Sequence, residues 1–92
     1  MSPDDEAERQ ELMAQRDADD PGWRERFRSG SLGSREARHL AAALADLVDR
    51  ELRGHPAVFL RPHTFALASH AIRTLVDLHQ ALGVKHPSDE EA

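Results

Sequence analysis

The stretch PHTFALASHAIRTLVDLHQALG, residues 62–83, decides how this chain folds. Within it Phe65, Ala68, Ile72, Leu75, His79 and Leu82 recur in steps of three and four, the seam of a helix that packs lengthwise against another. Leu67, Ala71, Val76 and Leu78 widen that seam to about half the circumference. Pro62 suits the first turn of a helix and Gly83 the residue just past its end. The spacing predicts a helix over 62–83 whose apolar face is too wide for one partner to cover.

The partner lies just upstream. Over 35–53, Ala37, Leu40, Ala41, Leu44, Leu47 and Val48 share one face at about 100° per residue. Arg38, His39, Asp46, Asp49, Arg50 and Arg53 fill the other. Ser34 is the expected N-cap, and Gly54 followed by His55 and Pro56 the expected stop. The connector 54–61 carries Ala57, Val58, Phe59 and Leu60; with no second strand to pair with, it is expected to be buried against the hairpin end. A short helix over 21–29 is expected from Asp20 as N-cap and Pro21 as N1, with Trp23 and Phe27 one turn apart.

Outside this region the chain is polar. Residues 1–19 hold seven of the acidic side chains against Arg9 and Arg16, a composition that predicts a frayed helix or a disordered arm. Residues 85–92 read as an acidic tail. One helical domain over 20–84 remains: an all-α antiparallel hairpin with a short N-terminal helix, expected to complete its core as a bundle by homo-oligomerisation, a dimer being favoured.

Composition narrows the functional classes. Of the hydrophobic residues, 39% of 92, 14 are alanines, so a core built by one copy is thin. With no Cys, thiolate chemistry and Cys-ligated zinc are excluded. A formal net charge of -5 disfavours a nucleic-acid partner bound by bulk charge, and no apolar run is long enough for a membrane. The acidic N-terminus lacks the pattern of a signal peptide, so the expected location is cytoplasmic, and the preference for Arg over Lys suggests a bacterial source.

Six histidines raise the question of metal. His63, His70 and Asp77 are seven residues apart, roughly 10 Å of rise per step, and no pair has the i, i+3 or i, i+4 spacing of helical metal sites. Neither a metal site nor another cofactor is expected. His79, inside the apolar seam, is expected to bond a backbone carbonyl or a water, or to set register at an interface.

Two constellations stand out as functional candidates. Trp23, Arg24, Phe27 and Arg28 combine the only Trp with arginines on one short helix, the residue types most enriched where proteins bind one another. Arg73 and His79 stand at an Arg-x5-His spacing that resembles, over seven residues, the signature of the HEPN ribonucleases. That resemblance implies RNA cleavage by the Arg73 and His79 pair. The residues as a whole point to a non-enzymatic interaction or regulatory module acting through helical surfaces; the nuclease is the alternative.

Overall fold

The computed structural model describes residues 2–84. Helix α1, Pro3–Asp19, is joined through the short α2, Trp23–Phe27, to α3, Leu32–Leu47. A π-helical segment, Val48–Arg53, continues α3. A single turn, α4 (Pro56–Phe59), then leads into α5, Pro62–Gly83. No strand occurs among the described residues. The fold is all-α, an antiparallel hairpin of α3 and α5 with α1 projecting beyond it, 49 × 27 × 23 Å in extent.

The N-terminal segment is a continuous helix and not a disordered arm. Ser2 caps it by accepting a hydrogen bond from the Asp5 amide at 3.1 Å, Pro3 opens it, and Asp4, Asp5 and Glu6 occupy the positive first turn. Its Ala, Glu, Gln, Arg, Leu and Met residues are strong helix formers. No residue of α1 is buried, so its helicity owes little to core packing.

Helix α2 is shorter than the expected 21–29. Asp20 does not cap it: Gly22 stands at the N-cap, while the Asp20 carboxylate pairs with Arg26. Gly30, at φ 79, makes the left-handed turn toward α3 that a side chain would resist. Gly33 lies so close under α2 that a Cβ there would come within 2.7 Å of the Arg26 carbonyl oxygen.

Helix α3 begins three residues before the expected 35. Ser31 takes the cap, accepting from the Ser34 amide at 3.1 Å, which frees the Ser34 hydroxyl. That hydroxyl is buried and donates to the Leu82 carbonyl at 3.4 Å, closing the open end of the hairpin. Arg38 lies over Gly83 beside it. Gly83 is consequently the last helical residue and not a left-handed cap; Val84 takes the C-cap position.

At the other end the π-helical turns wind more slowly than an α-helix and carry Arg53 from the polar face round toward α5. There its Nε donates to the Ser69 hydroxyl at 3.0 Å and its guanidinium sits 4.6 Å from the centre of the Phe65 ring. The connector is not buried as expected. His55 Nδ1 caps α4, Thr64 donates to the Val58 carbonyl at 2.6 Å, and only Val58 is half-buried while Phe59 and Leu60 are exposed. A single turn with its backbone bonded locally leaves those two side chains nothing to pack against.

The helices meet along a line of small residues. Among the described residues Ala41 and Ala45 alone are buried apolar residues, 3% and 8% exposed, with Ser34 at one end and half-buried Val48 at the other. Opposite them Phe65, Ala68, Ile72, Leu75, His79 and Leu82 are all half-buried. Alanines bring the two backbones close, and that approach turns the leucines of α3 out of the contact.

Candidate interaction surfaces

The seam assigned to oligomerisation is occupied within the chain. Phe65, Ala68, Ile72, Leu75, His79 and Leu82 face α3, with His79 and Leu82 tied to it by hydrogen bonds. Side chains at heptad spacing fit any parallel or antiparallel partner, and α3 is the partner at hand.

What remains uncovered is a flank. Asp46, Asp49, Arg53, Ser69 and Arg73 line one cleft of about 440 Å3, which places those positions of α3 and α5 on the same side of the hairpin. At 100° per residue, Leu40, Leu44 and Leu47 of α3, with Leu67, Ala71 and Leu78 of α5, fall toward the opposite side. Their exposure is high: 58, 48 and 46% for the α3 leucines, 55 and 48% for Leu67 and Leu78. The hairpin therefore has a leucine flank and a charged flank. Sequence reading placed Leu40, Leu44 and Leu47 in the core because it weighed every apolar residue alike. The recurrence of Ser34, Ala41 and Ala45 on one line, small enough for close helix contact, was the signal for the true contact line.

The Trp23, Arg24, Phe27 and Arg28 group is engaged by neighbours in α1 and α2, while Arg24, Phe27 and Arg28 stay exposed. The Trp23 indole N–H donates to Asp17 Oδ1 at 2.8 Å, and Arg24 lies 3.2 Å from the other carboxylate oxygen. Arg28 is 3.4 Å from Glu25, and Arg16 stands 6.0 Å from the centre of the half-exposed Phe27 ring. The arginines thus have carboxylate partners, and the cluster joins α1 to α2. The Trp23 hydrogen bond, reinforced by Arg24, holds the Asp17 carboxyl below its ordinary value. On α1 the Arg9 guanidinium, followed by Gln10, pulls Glu6 down to about 2.

Arg73 and His79 are not brought together. Arg73 is exposed and lines the cleft with Asp46 and Asp49. His79 Nδ1 is 3.0 Å from the Arg38 carbonyl oxygen, which only accepts, so this nitrogen carries the hydrogen. The ring lines a second cleft with Arg35, Arg38 and His39. Among the described residues no group of three His, Asp or Glu could hold a metal ion, and no helix is long and apolar enough to cross a membrane.

The class this geometry defines is a small all-α hairpin with one apolar and one charged flank. No protein-family model, curated protein or solved structure matches the chain.

Proposed function

We propose that this protein is a non-enzymatic helical interaction module that assembles with a second copy of itself through the leucine flank. The observation that carries the reading is the disproportion between core and flank: two buried alanines against five half-exposed leucines on one side. Leu40, Leu44, Leu47, Leu67, Ala71 and Leu78 are uncharged, so two copies related by a two-fold axis can bury these side chains against one another. Covering the exposed half of each leucine contributes on the order of 1 kcal/mol. The product is a four-helix bundle with both charged flanks outward.

Leu44→Glu and Leu78→Glu test this reading, with Arg73→Glu on the charged flank as the control. In sedimentation velocity the leucine variants should run as monomers and the Arg73 variant as wild type, while circular dichroism confirms that α3 and α5 persist. Dissociation by Arg73→Glu alone, or unchanged assembly in both leucine variants, would refute it.

A further inference from the structure

On the charged flank, at the open end of the hairpin, Arg35, Arg38 and His39 of α3 meet His79 of α5 around a cleft of about 350 Å3. Among the described residues no carboxylate lines it. The chain pairs Arg9, Arg24, Arg26, Arg28, Arg50 and Arg53 with carboxylates, whereas among the described residues neither Arg35 nor Arg38 has an acidic partner. In a protein of net charge -5, two free guanidiniums one helical turn apart are a local reversal of sign. The Arg38 guanidinium lies against Gly83, where it also offsets the negative end of α5. His79 is held, because its Nδ1–H is committed to the Arg38 carbonyl and only Nε2 remains for a ligand.

From this arrangement we infer that the cleft binds the phosphate group of a small molecule. Planar guanidiniums present paired N–H groups that match phosphate oxygens, and two of them converging from one helix supply most of the required charge. The imidazoles of His39 and His79 complete the lining of the cleft. The cleft is larger than a bare ion needs, which favours a phosphate monoester over inorganic phosphate. The site lies on the flank opposite the leucines, so it stands independently of self-assembly.

The test is a titration of the full chain, followed by isothermal calorimetry and amide chemical shifts at constant ionic strength. The probes are phenyl phosphate, inorganic phosphate and chloride. Phenyl phosphate should bind saturably, once per chain, with inorganic phosphate weaker and chloride absent; shifts should centre on residues 35–39 and 79–83. Arg35→Gln should weaken binding about tenfold. The same substitution should leave the thermal midpoint without ligand unchanged, because Arg35 is exposed and unpaired. Arg73→Gln, in the neighbouring cleft, should bind as wild type. Equal loss in the Arg35 and Arg73 variants, equal response to chloride, or no saturable binding would overturn the assignment. Inorganic phosphate binding as tightly as the ester would overturn the preference for a monoester.

Discussion

At the residue scale the contact between α3 and α5 is set by side-chain size. Ala41 is 3% exposed and sits where the helices come closest, so Ala41→Leu forces them apart and should cost about 1–3 kcal/mol. A fall in the thermal midpoint of at least about 4 °C is expected in calorimetry, and no change would mean that the contact line lies elsewhere. Asp17 gives a second, pH-dependent prediction. Its folded-state pKa is depressed by the Trp23 N–H, with Arg24 adding to it, so the tie between α1 and α2 is fully present above the ordinary carboxyl range and is lost as pH falls through the depressed value. Because Trp23 is the only Trp, its fluorescence should report that release on acidification below about pH 4. The same transition should be missing in Asp17→Ala, whose emission at neutral pH should already resemble the acid form.

At the element scale the helices differ in what supports them. Helix α5 was legible to within a residue because proline and the three-four spacing agree, although Gly83 ends the helix instead of lying just past it, and its six seam residues do turn toward a partner. The start of α3 was displaced because Ser31 and Ser34 are both competent caps and only the contact with Leu82 decides between them. Arg53 was misplaced because hydrophobic periodicity assumes α-helical winding, which fails across Val48–Arg53. The helicity of α1 was left open for a different reason: charge composition measures the incentive to bury, whereas α1 rests on capping and propensity. Removing residues 1–19 should therefore lower total helicity in circular dichroism yet shift the midpoint by less than about 4 °C. A larger loss would show that α1 packs on the hairpin in solution.

At the scale of the whole molecule, all-α architecture and the hairpin topology follow from patterning, while the division into two flanks does not. A helical wheel locates apolar side chains around one axis; which of them face the partner depends on how closely two axes approach, and that is decided jointly by Ala41, Ala45, Ala68 and Ile72. The oligomer seam expected on Phe65, Ala68, Ile72, Leu75, His79 and Leu82 thus closes the chain on itself, and Leu40, Leu44, Leu47, Leu67 and Leu78 inherit the outward role. Among the described residues one copy buries only Ala41 and Ala45 of its apolar side chains, a thin core for its length. The claim that the leucine flank is closed by a second copy is tested most directly by the mass of the untreated protein in solution, measured by light scattering behind size exclusion. At roughly 100 μM the account predicts about 21 kDa, twice the 10.3 kDa of one chain, with dissociation on dilution if affinity is micromolar. A folded protein that remains at 10.3 kDa at that concentration would contradict it.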